Sequence, residues 1–165
     1  MFAVHRCVLG LACALSLLAC SRPAPSGDAA TAGRTFLARN ASAPGVRVTA
    51  SGLQYRVLRS GPAGGIRPTA ADEVKVNYEG KLLDGEVFDS SFERGTPAVM
   101  GLRGVIPGWS EALQLMRPGD EWLLYVPAAL GYGDRSIGPI PPGSVLMFKV
   151  DLIDVLPDTQ TSGRS

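Results

Sequence analysis

The residue types that carry most enzyme chemistry are almost missing from this chain. Its single histidine is His5, and its three cysteines are Cys7, Cys13 and Cys20. Residues 21–165 contain neither type. They therefore offer no histidine base, no Ser-His-Asp triad, no thiol nucleophile, no disulfide framework and no four-cysteine metal site. No metal or cofactor is expected. The polar and aromatic residues that stand out have plain readings by type and position. Trp109, at the start of a helical pattern, reads as core. Asp89, ahead of Ser90-Ser91, reads as a turn cap. Tyr132, between Gly131 and Gly133, reads as a loop anchor. Chemistry on such groups is limited to burial, desolvation and hydrogen bonding.

Cys20 admits a different chemistry. Residues 1–20 open with Arg6 and continue as an apolar run from Val8 to Ala19. That run has the length of a signal core and falls short of a membrane span of roughly 20 residues. It ends in Leu17-Leu18-Ala19-Cys20, which resembles a bacterial lipobox. The resemblance implies cleavage before Cys20 and acylation of its thiol, with several chains giving stable anchoring. Ser21 rather than Asp follows Cys20, which by the same resemblance favours an outer membrane. Residues 1–19 are thus expected to be a lipoprotein signal, and the protein to sit in the cell envelope, facing the periplasm.

The remaining chain must position any site. With 165 residues, 45% hydrophobic and 19% charged, it suffices for one packed domain. Lys and Arg number 16 against 15 Asp and Glu, so no basic footprint for nucleic acid appears. The 20 Gly and 13 Pro favour short strands and turns over a helix bundle. Residues 20–50 read as a tether, with two turns of helix over 34–41 ended by Ala43-Pro44-Gly45. No long helical dimerisation arm is expected, and the protein is expected to be a monomer. Strand alternation follows at Leu53-Val57, Val74-Tyr78, Trp122-Val126 and Leu146-Leu152, with an Asp84-Gly85 hairpin turn returning through Val87-Phe88. Residues 107–117 carry the best helix, with Pro107 in its first turn and Trp109, Ala112, Leu113 and Met116 on one face. A Gly/Pro-rich loop spans Ala128 to Gly143. The tail 158–165 reads as disordered. The expected class is α+β: a twisted antiparallel sheet of about five strands wrapped around one short helix.

Several segments together resemble the FK506-binding (FKBP-type) peptidyl-prolyl cis-trans isomerases. They are Val76-Asn77-Tyr78-Glu79-Gly80, Leu83-Asp84-Gly85, Phe88-Asp89-Ser90-Ser91, Val105-Ile106-Pro107-Gly108-Trp109, Met116-x-x-Gly119, Gly131-Tyr132-Gly133 and Ile140-Pro141-Pro142. The resemblance covers residues 51–157. The lead-in Ser51-Gly52-Leu53-Gln54-Tyr55 is similar to secreted bacterial members. It implies that Trp109 forms a pocket floor and that Tyr78, Phe88, Val105, Ile106 and Phe148 form walls, with Ile140 flanking from the long loop. It implies that the Tyr132 hydroxyl and the Ile106 amide donate to a substrate, and that Asp89 acts on the environment of the imide carbonyl. Two departures bear on the pocket. Met100 stands where Phe is common, softening that wall. The segment Gly133–Pro139 is one residue shorter than in many relatives.

The implied reaction needs no acid–base pair. Rotation about an Xaa-Pro bond crosses roughly 20 kcal/mol of amide resonance and takes tens of seconds or more unaided. A pocket that prefers the twisted amide suffices. An apolar pocket strips water from the resonance-polarised carbonyl, and fixed dipoles stabilise the rotated one. The expected partners are proline-containing polypeptides, FK506-like macrolides and a membrane through Cys20. The alternative is a proline-binding or chaperone-like module with incidental turnover, which an exposed Phe92 would suit.

Overall fold

A computed structural model describes residues 26–158. The signal segment 1–19, the lipidation candidate Cys20 and residues 159–165 of the tail lie outside them. The elements run α1 (Ser26–Asn40), β1 (Val46–Val48), β2 (Gln54–Arg59), β3 (Glu73–Lys81), β4 (Val87–Ser90), β5 (Ala98–Gly101), α2 (Pro107–Leu115), β6 (Glu121–Val126) and β7 (Leu146–Leu156). A single 3₁₀ turn, Ala128–Leu130, opens the long loop.

All strands join one antiparallel sheet in the order β1-β2-β6-β7-β3-β4, and β5 pairs with the first half of β3. The α+β class is as expected, with seven strands rather than about five. The two additions, β1 and β5, have 3 and 4 residues, too few to display alternation in the sequence. The central strands alternate strictly. Val74, Val76, Tyr78, Leu124, Val126, Phe148 and Val150 are buried on one face, where α2 packs.

The nine residues of α2 are too few for a stable helix in water. Its register comes from packing: Trp109, Ala112 and Leu113 are buried against the sheet. Gly108 permits the close approach, since a Cβ there would lie 2.6 Å from Val126 Cγ1. Pro107 occupies the first turn, where a missing N–H costs nothing. The β3–β4 turn forms at Asp84-Gly85 as expected. Gly85 has φ 93°, and Asp84 Oδ1 accepts from the Glu86 amide at 3.0 Å.

The N-terminal reading needs correction. Residues 26–33, read as tether, are helical, so α1 has 15 residues instead of two turns. The alanine-rich run Ala29-Ala30-Thr31-Ala32 has the propensity, and tertiary contact supplies the rest. Gly33, Phe36, Leu37 and Asn40 form one face toward the sheet. A Cβ on Gly33 would lie 2.8 Å from Val145 Cγ2. The Phe36 and Tyr125 rings are 5.6 Å apart. Gln54 Nε2 donates to Leu37 O, and Asn40 Nδ2 donates to Gln54 Oε1, both at 2.9 Å. Gly33, at the end of the stretch read as tether, is a contact of the docked helix.

Candidate active site

The site forms where β3, β4, β5, β7 and the start of α2 converge. Gly80 pairs with Phe148 and Tyr78 with Val150, so Tyr78 and Phe148 are diagonal neighbours on the buried face. The Trp109 ring meets both edge-on, at 5.0 Å from Tyr78 and 5.1 Å from Phe148. Phe88 meets Phe148 edge-on at 5.5 Å. These are favourable aromatic geometries. Gly80 makes room for them: a Cβ there would sit 2.7 Å from Phe88 Cε2 and 2.8 Å from Phe148 Cε1.

Together they line a cavity of about 450 Å³. Met100 from β5 and Val105 and Ile106 from the lead into α2 complete its walls. Asp89, Tyr132 and Ile140 line it as well. All ten pocket residues expected from the sequence therefore meet at one cavity. Gly104, Ile137, Gly138 and Pro139 also line it and were not expected. The three residues ahead of Ile140 belong to the long loop. There Ile137 and Ile140 exchange backbone hydrogen bonds of 3.0 and 2.9 Å, and Ile140 is buried. These bonds close the loop on itself, with Ile140 at the cavity.

The polar rim is a three-residue network. Tyr78 Oη donates to Asp89 Oδ2, and Arg94 Nη1 donates to Asp89 Oδ1. Arg94 Nη2 donates to Tyr78 Oη at 2.9 Å, and the guanidinium carbon is 5.4 Å from the Tyr78 ring centroid. Burial pushes the Asp89 carboxyl upward, but the bonds from Tyr78 and Arg94 outweigh it and hold it below the usual range. Burial, then the bond to Asp89, raises the Tyr78 phenol. Asp89 is therefore an anion at neutral pH. Both its oxygens accept from protein donors. Arg94 was not singled out from the sequence. In Phe92-Glu93-Arg94-Gly95 it looks like a solvated turn residue, and only its position five residues after Asp89 hinted otherwise.

Buried Ser91 anchors the base of the network. Its Oγ accepts from the Tyr78 amide at 2.9 Å, and its own amide donates to Tyr78 O at 2.9 Å. On the opposite rim, the Tyr132 hydroxyl and the Ile106 amide have no hydrogen-bond partner among the described residues. Gly133, at φ 60°, holds the turn after Tyr132 by donating to Ala128 O at 2.8 Å. Among the described residues no cluster of His, Cys, Asp or Glu is placed to hold a metal. The arrangement is an aromatic slot with unengaged donors on one side and a fixed anion on the other. It can enclose an apolar ring and hydrogen-bond carbonyls beside it, and it contains no nucleophile.

A sheet packed over one short helix, with that slot where they meet, is the architecture of the described residues. The chain belongs to the FKBP-type peptidyl-prolyl cis-trans isomerase family, whose model matches residues 64–153. A second model, the domain amino terminal to FKBP-type peptidyl-prolyl isomerase, matches residues 21–57. The peptidyl-prolyl cis-trans isomerase Mip of Coxiella burnetii is 53% identical over 123 residues, 74% of this chain and 53% of that protein. The outer membrane protein MIP of Legionella longbeachae is 50% identical over 124 residues, 74% of this chain and 52% of that protein. The chain thus spans about half the length of these relatives. The crystal structure of a peptidyl-prolyl cis-trans isomerase from Pseudomonas syringae superimposes with TM-score 0.75 at 38% identity, covering 83% of this chain and all of that one.

Proposed function

We propose that the cavity is a peptidyl-prolyl isomerase site acting on Xaa-Pro bonds of extracytoplasmic proteins. One observation carries the reading: an aromatic floor and walls share an opening with two unengaged donors, Tyr132 Oη and the Ile106 amide. The pyrrolidine ring sits on Trp109 between Tyr78, Phe88 and Phe148. The apolar walls strip water from the imide carbonyl, which loses more stabilisation when planar and polarised than when twisted. Tyr132 and the Ile106 amide hold the flanking carbonyls, so that binding energy favours the rotated geometry. Asp89, kept anionic and fixed by Tyr78 and Arg94, sets the field at the carbonyl. Met100 gives one wall a flexible thioether in place of a ring, which suits varied residues beside the proline. FK506-like macrolides, which present a similar ring and carbonyls, are ligands of the same slot.

We further propose that the protein is an envelope lipoprotein, cleaved before Cys20 and acylated on it. The Leu17-Leu18-Ala19-Cys20 motif supports this, as does the name of the Legionella longbeachae relative. A second reading, a proline-binding module with incidental turnover, draws on Phe92, which is 52% exposed.

The test is the cis-to-trans relaxation of a Leu-Pro or Phe-Pro tetrapeptide with residues 20–165 carrying Cys20→Ser. Acceleration by this protein is expected. Tyr132→Phe should lower kcat/KM about tenfold, the worth of one hydrogen bond near 1.4 kcal/mol. Asp89→Ala should lower it at least as far. A folded sample that leaves the relaxation rate unchanged overturns the isomerase reading and leaves the binding module.

A further inference from the structure

The two halves of the described chain carry opposite charge. Residues 26–71 contain six arginines and one acid, Asp28, a net +5. Residues 72–158 contain seven Lys or Arg against fourteen Asp or Glu, a net −7. The topology converts this asymmetry along the chain into one in space. The first half builds α1, β1 and β2, and β1-β2 is one edge of the sheet. The second half includes the opposite edge, β3-β4, with Glu73, Glu79, Asp84, Glu86 and Asp89 on or beside it. Helix α1 packs through Phe36 on Tyr125 and through Leu37 on Gln54. Those positions alternate with the buried Leu53, Leu124 and Val126, so α1 covers the sheet face opposite α2 and the cavity.

Arg34 and Arg39 flank the docked helix, and Arg56 lies on β2 on the same sheet face as Gln54, which α1 covers; Arg47, paired with Tyr55, lies on the other face. Arg34, Arg39 and Arg56 are exposed, and none has an acidic partner among the described residues. Arg59, farther along β2, pairs with Glu121 at 3.3 Å and Asp151 at 2.8 Å. Three uncompensated cations on one face repel one another, and an opposing anionic surface removes that repulsion. A small anion would need donors converging on a pocket. These three spread over a helix and a strand, which fits an extended plane of charge.

We propose that the α1–β1–β2 face docks on an anionic phospholipid bilayer and leaves the cavity turned away from the surface. The attraction falls off within a Debye length, so it acts only when these side chains reach the headgroups. The inference rests on neither isomerase activity nor acylation of Cys20.

The test is co-sedimentation of residues 20–165 carrying Cys20→Ser, which contain the whole described fold. The vesicles are pure phosphatidylcholine, or phosphatidylcholine with one quarter phosphatidylglycerol. Partition onto the anionic vesicles is expected to exceed that onto the neutral ones about tenfold or more at low salt, and to disappear at high salt. The triple variant Arg34→Gln, Arg39→Gln, Arg56→Gln should lose the excess. A charge-matched variant elsewhere, Lys75→Gln, Arg103→Gln, Arg117→Gln, should keep it. Circular dichroism of both variants shows that the fold is retained. Equal partition onto the two vesicle types, or equal loss in both variants, overturns the proposal.

Discussion

Arg94 and Ser91 do more at the site than their residue types announce. The Arg94–Asp89 pair is exposed on both sides, 47% and 42% of the side chains, so it contributes little to folding. Its effect is on Tyr78 and Asp89. Arg94→Ala should therefore lower kcat/KM severalfold while the melting temperature stays nearly constant. Comparing the two quantities checks it, and Arg94→Lys, lacking the fork that reaches both partners, should recover only part. Ser91→Ala should do the reverse in weight. It leaves the buried Tyr78 amide without its acceptor, costing about 1–3 kcal/mol, which urea unfolding would show. The sequence pointed to Asp89-Ser90-Ser91 as a unit. It left open whether Asp89 was a turn cap, because only the folded hairpin sets its carboxylate against Tyr78.

Elements are held by glycines at contact points. Gly80→Ala would drive a methyl group into Phe88 and Phe148. Overpacking of this kind costs about 1–3 kcal/mol, and because both rings line the cavity, kcat/KM should fall as well. Gly33→Val would push α1 off Val145. Amide hydrogen exchange within residues 26–40 should then accelerate, while exchange in the central strands β3 and β7 stays slow. Strands with six or more residues were legible from alternation, and α2 from its apolar face. The short β1 and β5 were not, since each exists only through pairing with β2 or β3. Helix α1 was half legible for the same reason: its first turns gain their stability from the sheet.

The molecule as a whole should be insensitive to pH in its activity and sensitive in its acid stability. The rim carries no group that titrates near neutrality: Asp89 ionises below its ordinary 3.8 and Tyr78 above its ordinary 10.0. From about pH 5 to about pH 9, kcat/KM is expected to be flat, in contrast to the bell shape of an acid–base enzyme. Stability follows the depressed carboxyls. Asp72 is held low by the amides of Thr69 and Asp158, against a smaller opposing effect of burial. Asp89 is low for the reasons given above. A carboxyl depressed in the folded state contributes stability above its unfolded value of 3.8, and that contribution is lost as pH falls through the folded value. Unfolding followed by fluorescence should thus show a stability plateau above about pH 5 and a decline below pH 4. Asp72→Asn should flatten part of that decline.

By itself the sequence excluded histidine-based and thiol chemistry from residues 21–165, because composition suffices for that. Its alternation, turn residues and one helical face also determined the α+β class, since local periodicity reports which face is buried, and its resemblance to the FKBP-type isomerases brought ten residues forward as one pocket. The tertiary structure decided the rest. It ran α1 back to Ser26, set Arg94 on Asp89 and Tyr78, and closed the loop ahead of Ile140. It also docked α1, with Arg34 and Arg39, on the sheet face opposite the cavity. Each depends on partners distant in the chain, and a pattern read along one segment carries no information about what that segment will meet.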